Sequence, residues 1–268
     1  MIHPFDAVGD DKFREECGVF GIYGSDDAAA LTALGLHALQ HRGQEAAGIV
    51  SYDGKRFFPH RALGLVGDIF GEKEVIDTMP GNSAIGHVRY STTGETAMRN
   101  VQPLYADYSF GGLALAHNGN LTNSVLLRKD LVNRGSLFQS TSDTEVFQHL
   151  IATSSGTRLL DRVVETLREV EGAYSLVALS RRKLIGARDP LGVRPLILGT
   201  LGDAWIITSE TCALDIIGAE FVRDVEPGEI IVVDDDGVHS HTPFPVTRKR
   251  FCIFEYIYFA RPDSSVEG

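Results

Sequence analysis

The chain has 268 residues, of which 43% are hydrophobic and 23% charged, with a formal net charge of -11. That length is enough to bury a large core in one domain or in two small ones, and the composition is that of an ordinary globular protein. The acidic balance excludes a binder of phosphate backbones, which needs clustered Lys and Arg; the one compact basic run, Arg248-Lys249-Arg250, reads as a solvated strand start.

Residues 1–16 carry Asp6, Asp10, Asp11, Glu15 and Glu16 and no apolar core, so they form an acidic leader and not a secretory signal. Residues 17–24 alternate apolar and small side chains, the pattern of a buried strand. The Ala- and Leu-rich stretch 26–40 predicts a helix with Asp26 and Asp27 in its first turn, where negative charge complements the helix dipole. Residues 46–52 and 56–63, joined through Asp53-Gly54, predict a β-hairpin. Strands are expected at 84–90 and 112–117, each running into a polar turn that contains glycine. Helical periodicity follows at 124–134, 142–153 and 158–170. Short strands come next at 174–180, 183–187, 196–199, 204–209 and 229–233, with Asp236-Gly237 as a hairpin turn. This order lacks βαβ alternation and predicts an α+β fold of antiparallel sheets with segregated helices, one domain over 17–245. The apolar, aromatic run 251–260 reads as a strand in want of a partner, either the start of a connection (246–268) to further chain or a terminus docked on the domain.

Three scattered cysteines are too few for a disulfide framework and point to a reducing compartment. No apolar run approaches the roughly 20 residues that span a bilayer, so a soluble, cytoplasmic protein is expected.

Four places carry potential chemistry. Cys17 follows the leader directly. If the bond after Glu16 is broken, one residue supplies both a thiol nucleophile and an α-amino group, whose reference pKa of about 7.7–8.0 suits a general base. The alternative is a buried small hydrophobe. Arg89 ends an apolar strand before Ser91-Thr92-Thr93-Gly94, and its planar fork matches a carboxylate; a surface ion pair is the alternative. Asn118-Gly119 offers a side-chain amide and a backbone N–H that together suit a developing oxyanion, or else makes an ordinary Asn-Gly turn. Asp143 stands at a helix N-terminus, suited to a substrate ammonium or to capping. Together these are the parts needed to hydrolyse glutamine to glutamate and ammonia.

The segments Cys17–Ile22, Leu39-Gln40-His41-Arg42-Gly43-Gln44-Glu45, 86–94, 117–120 and 142–145 resemble the class II glutamine amidotransferases. The segments 101–104, 188–196, 209–213, 225–229 and 255–264 resemble the branch whose members aminate phosphoribosyl pyrophosphate at the start of purine synthesis. The resemblance covers 17–268. It implies a four-layer αββα sandwich of the N-terminal-nucleophile type, with Cys17 as nucleophile and Asn118 with Gly119 as oxyanion hole. It further implies Arg89 and Thr92 at the glutamine carboxylate, Asp143 at its ammonium, Arg42 ordering the substrate site, and autocatalytic removal of the leader. The glutaminase reaction needs no cofactor. Full-length members are expected to be homo-oligomers and to add a phosphoribosyltransferase domain using Mg²⁺. One branch also holds a 4Fe–4S cluster, for which Cys252 resembles a first ligand; one thiolate cannot hold a cluster. Val232-Val233-Asp234-Asp235-Asp236-Gly237 only imitates the phosphoribosyl-binding loop, since it lacks the Gly-Thr end, so the transferase half is expected to lie outside this sequence. Cys212 reads as structural, and the pairs His37/His41 and His239/His241 as non-ligands. Two further readings stay open: a related amidotransferase of the glucosamine-6-phosphate synthase or asparagine synthetase type, and a non-catalytic regulatory module.

Overall fold

The computed structural model describes residues 17–90, 97–245, 247–250 and 252–265. In chain order, β1 (Gly18–Tyr23) leads into α1 (Ala28–Ala38), then β2 (Ala46–Tyr52), β3 (Phe57–Leu63), α2 (Val66–Phe70), α3 (Lys73–Asp77) and β4 (Ser83–Arg89). There follow β5 (Leu104–Tyr108), β6 (Gly111–Leu121), α4 (Ser124–Asn133), α5 (Thr144–Thr153) and α6 (Leu159–Glu169). The chain continues through β7 (Gly172–Ser180), β8 (Leu184–Arg188), β9 (Ile197–Leu201), β10 (Ala204–Thr208), α7 (Cys212–Asp215), β11 (Glu220–Asp224), β12 (Ile230–Asp234) and β13 (Gly237–His241).

The strands form two antiparallel sheets, ordered β11-β9-β10-β1-β4-β2-β3 and β13-β12-β8-β7-β6-β5. Strand alternation sorts the side chains into layers. Val19 and Ile85 from one sheet meet Ala114, Val177 and Ile231 from the other, and this apolar seam joins the sheets face to face. Phe20 and Ile22, an odd number of positions past Val19, point the opposite way and pack with Leu36 and Leu39 beneath α1. On the far side, Leu113, Leu115 and Leu176 pack against Phe147 and Ile151 of α5 and Val163 and Leu167 of α6. The result is the expected αββα sandwich.

Several boundaries differ from expectation. The first helix starts at Ala28 and has no acidic residue in its first turn, so Asp26 and Asp27 lie before it. The strand expected to end at His117 continues to Leu121, because residues 118–121 pair with 172–175 of β7. Asn118-Gly119 is therefore strand and not turn. The run expected as a strand at 251–260 instead forms a π-helical turn over Glu255–Phe259, closed by the Ala260 N–H donating to the Glu255 carbonyl at 2.9 Å. The strands β5 and β11 and the short helices α2, α3 and α7 had no expectation behind them. The expected hairpin forms one residue earlier: Asp235-Asp236 make the turn, and Gly237 opens β13 opposite Asp234.

Helix α1 can lie this close to the sheet because residue 35 is glycine: a Cβ there would sit 2.4 Å from the Phe20 ring. In Gly35→Ala the gain in helix propensity, about 1 kcal/mol, opposes an overpacking cost of about 1–3 kcal/mol in a core that cannot shift. The expected outcome is a lower urea midpoint with unchanged slope. A midpoint at or above the parent value would contradict the packing.

Candidate active site

Antiparallel pairing sets the first half of the site. Strand β1 runs beside β4 with Gly18 opposite Val88, so the residue before β1, Cys17, meets the residues that end β4, Arg89 and Tyr90. The Cys17 thiol donates to the Tyr90 carbonyl at 3.6 Å. The start of β1 is clamped further on, where the Val19 N–H donates to Ser209 Oγ at 3.0 Å and the Val19 carbonyl accepts from Thr208 Oγ1 at 3.1 Å. Arg89 is buried, and its Nε has no hydrogen-bond partner among the described residues.

The second half lies along one edge of β6. Strand β5 begins at Leu104 opposite Leu115, so from residue 117 onward that edge of β6 has no strand beside it. Backbone groups there must find other partners. The His117 N–H donates to Gln102 Oε1 at 2.7 Å, and the His117 carbonyl accepts from His87 Nε2 at 3.2 Å. The Leu121 N–H donates to Asp143 Oδ2 at 2.9 Å. In an antiparallel ladder alternate residues point to the same edge, which places the Gly119 N–H between these two, facing the same space. Gly119 has φ 143°, and a Cβ on it would lie 2.0 Å from the Ala173 carbonyl oxygen, so only glycine continues the strand here. Asn118 beside it is fully buried, and both polar atoms of its amide lack a partner among the described residues.

Asp143 stands at the N-terminus of α5, with Oδ1 3.6 Å from His117 Nδ1. Burial works to raise its carboxyl, but the facing His117 and the Leu121 N–H outweigh burial and hold it below the usual carboxylate range. His87 is pushed the other way, down to about 3, by burial and the nearby Arg89 charge. It is neutral, with its proton on Nε2 as the bond to the carbonyl requires. The loop before Asp143 is held from three sides. Arg128 donates to the Ser140 and Ser142 carbonyls at 2.9 and 2.8 Å. Asn100 exchanges hydrogen bonds with Thr141, and the Glu145 carboxylate accepts from the Gln139 and Ser140 N–H groups at 2.7 Å each.

These elements enclose a cavity of ≈ 400 Å³ whose wall includes Cys17, Arg89, Gln102, His117, Gly119 and Asp143. Four of the expected site residues thus line one cavity, and Asn118 lies on β6 between two residues of its wall, His117 and Gly119. Thr92 and the leader fall outside the described residues. Arg42 is not in the wall. Its guanidinium is 1% exposed and donates to the Cys17 carbonyl at 3.1 Å, to Glu210 at 2.5 Å and to both oxygens of Glu255 at 3.2 and 2.9 Å. Arg42 is thus placed to order the site through the backbone of Cys17. Gln102, His117 and Arg128 were not anticipated, because each acts on backbone groups or on Asp143, distant in sequence, and no motif marks that.

Among the described residues no three His, Cys, Asp or Glu side chains gather as a metal site, and no helix is long and apolar enough to cross a membrane. Cys252 is half-buried and forms no disulfide, and no metal-binding group of three His, Cys, Asp or Glu among the described residues includes it. Cys212 is buried against Glu210, and desolvation pushes its thiol up to about 11, out of the nucleophile range.

Glu210 carries the acid limb of stability at this site. Burial works to raise its carboxyl, but the His41 hydrogen bond and the Arg42 charge outweigh burial and leave it at about 2. A carboxylate depressed on folding stabilises the native state above its unfolded value, about 4.3, and that contribution fades as pH falls from there toward 2. In Glu210→Gln the loss of stability between pH ~5 and ~2, followed by urea denaturation, should be shallower than in the parent. Superimposable acid limbs would show that Glu210 is not held ionised by Arg42.

A family model described as a glutamine amidotransferase domain matches residues 87–215. The amidophosphoribosyltransferase of Rhizobium etli is 57% identical over 98% of this chain, and that of Bacillus subtilis 47% identical over 95%; the match covers 54% of each relative. The solved glutamine phosphoribosylpyrophosphate amidotransferase from B. subtilis, complexed with ADP and GMP, superposes with a TM-score of 0.90 at 46% identity. That superposition covers 94% of this chain and 55% of the other. The chain spans about half the length of the curated relatives it matches.

Proposed function

The chain belongs to the glutamine amidotransferase domains, in the branch represented by the amidophosphoribosyltransferases, and from that premise we propose that residues 17–245 hydrolyse L-glutamine at Cys17. The observation that carries the reading is the single cavity walled jointly by a thiol, a buried unpaired Arg nitrogen, a strand-edge glycine and an ionised carboxylate. Removal of residues 1–16 frees the α-amino group of Cys17. That group takes the thiol proton, which matters because a thiol of ordinary pKa is only a few per cent ionised at pH 7.

The sulfur attacks the γ-carbonyl carbon of glutamine, and the carbonyl electrons move onto oxygen. The Gly119 N–H and the Asn118 amide stabilise that oxyanion; removing one donor of this kind typically costs about 10²–10³ in kcat. The tetrahedral adduct collapses, the C–N bond breaks, and the α-ammonium returns its proton to the leaving ammonia. Water then attacks the thioester with the same amine as base, releasing glutamate and restoring the thiol. Arg89 holds the substrate α-carboxylate and Asp143 its ammonium, with Thr92 assigned beside Arg89. Arg42 is a positioning residue that fixes the Cys17 carbonyl while leaving the thiol and amine free.

By likeness to the relatives' names, the ammonia is passed to phosphoribosyl pyrophosphate, giving phosphoribosylamine in purine synthesis. That step belongs to a phosphoribosyltransferase domain, with residues 246–268 leading toward it, in a cytoplasmic homo-oligomer. Among the described residues no group of three His, Cys, Asp or Glu side chains fits Mg²⁺ or a 4Fe–4S cluster. The relatives do not favour a glucosamine- or asparagine-forming acceptor.

In chain that begins at Cys17, Cys17→Ser is expected to abolish glutaminase activity while leaving the unfolding transition in place. Unchanged glutamate release from that variant would sink the nucleophile assignment.

A further inference from the structure

Gln102 is 3% exposed and stands in the cavity wall with Cys17 and Arg89. Its backbone is fixed on both sides. Arg61 donates to the carbonyl of the preceding Val101 at 3.0 Å, and the Gln102 carbonyl packs so tightly on Gly48 that a Cβ there would meet it at 2.3 Å. Its side-chain amide is fixed as well. A backbone N–H can only donate, so the atom 2.7 Å from the His117 nitrogen is the oxygen Oε1. The NH₂ group is therefore not the atom that faces the His117 N–H. It makes no hydrogen bond to the described residues and, unlike the Asn118 amide, is not a fully enclosed orphan: it opens onto the cavity. A donor fixed at the cavity wall with no partner among the described residues is set to bind an acceptor that enters the cavity.

The edge of β6 says what that is. Gln102 binds at residue 117, the Gly119 N–H comes next, and Asp143 binds at residue 121, successive stations about 6.6 Å apart along an extended strand. On the reading given above, the substrate ammonium sits at Asp143 and the reacting carbonyl at Gly119. The station beyond the reacting carbonyl is Gln102. We propose that the Gln102 NH₂ group donates to the γ-carbonyl oxygen of glutamine and to the oxyanion formed from it, as a further donor beside Gly119. Gln102 is then a catalytic residue, one that contacts the reacting atom.

The inference rests on the glutaminase reading, and its test separates the two. Gln102→Glu keeps an oxygen for the His117 N–H and replaces the NH₂ donor with a carboxylate oxygen. In processed chain kcat for glutamine should fall about 10²-fold with a smaller change in KM, the pattern of an interaction made in the transition state. A protonated Glu regains a donor, so the ratio of variant to parent kcat should rise as pH is lowered toward the carboxyl range. A purely structural role predicts no such recovery. A kcat within about twofold of the parent, or a loss that is independent of pH, overturns the proposal. A parent chain that releases no glutamate, or a Cys17→Ser variant that still does, would instead refute the glutaminase reading itself.

Discussion

The arrangement depends on one buried cation. Arg42 is fully enclosed, and an unpaired guanidinium there would cost several kcal/mol in lost hydration. Two carboxylates from distant parts of the chain, Glu210 and Glu255, offset that cost, and burial's tendency to lower the Arg42 pKa is outweighed by them. Its remaining nitrogen, Nε, grips the carbonyl of Cys17. The pairing therefore does more than tie the 252–265 segment to the sandwich. It immobilises the residue proposed as nucleophile through an atom that takes no part in the chemistry. Glu210 reaches further, accepting from His41 at 3.0 Å, the Arg261 N–H at 3.0 Å and Ser264 at 2.7 Å. Because breaking a buried pair strands the partner charge, the network behaves as one unit.

A second constraint is the shortness of β5. Had it run further, its backbone would have paired with residues 117–121 and consumed the Gly119 N–H. Its start at Leu104, no earlier, opens an edge that side chains and, on the proposed reading, substrate complete. Both sheets contribute. Arg89 and Cys17 come from one and Gly119 from the other, and the His87 bond to the His117 carbonyl joins them at that level. A neutral imidazole suits this role, since a charged one beside Arg89 would be repelled in a dry seam.

Much of this was legible in the residues. The alternation at 17–24 and the hairpin through Asp53-Gly54 report burial directly, and both elements formed where expected. Cys17, Arg89, Gly119 and Asp143 stood out because each combines a reactive group with a strand or helix terminus, and the cavity gathers all four. What was not legible depended on partners far away. Asn-Gly reads locally as a turn, yet pairing with β7 carries the strand through it, helped by a φ that glycine alone accepts. The run at 251–260 has strand-like composition, but capture of Glu255 by Arg42 and Arg194 curls it into a helical turn. Strand β11 is largely exposed and lacks an apolar face, so no periodicity marked it. Gln102 and Arg128 bind backbone atoms, which carry no sequence signal at all.

The central claim is that Cys17, once it is the first residue, is the nucleophile of a glutamine site. Its most direct test is intact and peptide mass spectrometry after exposure to a glutamine analogue bearing an electrophilic γ-diazoketone. One adduct per chain is expected, on Cys17, formed in protein that begins at Cys17 and slowed by excess L-glutamine. Labelling of Cys212 or Cys252 instead, or equal labelling of Cys17 in chain that retains residues 1–16, would contradict it.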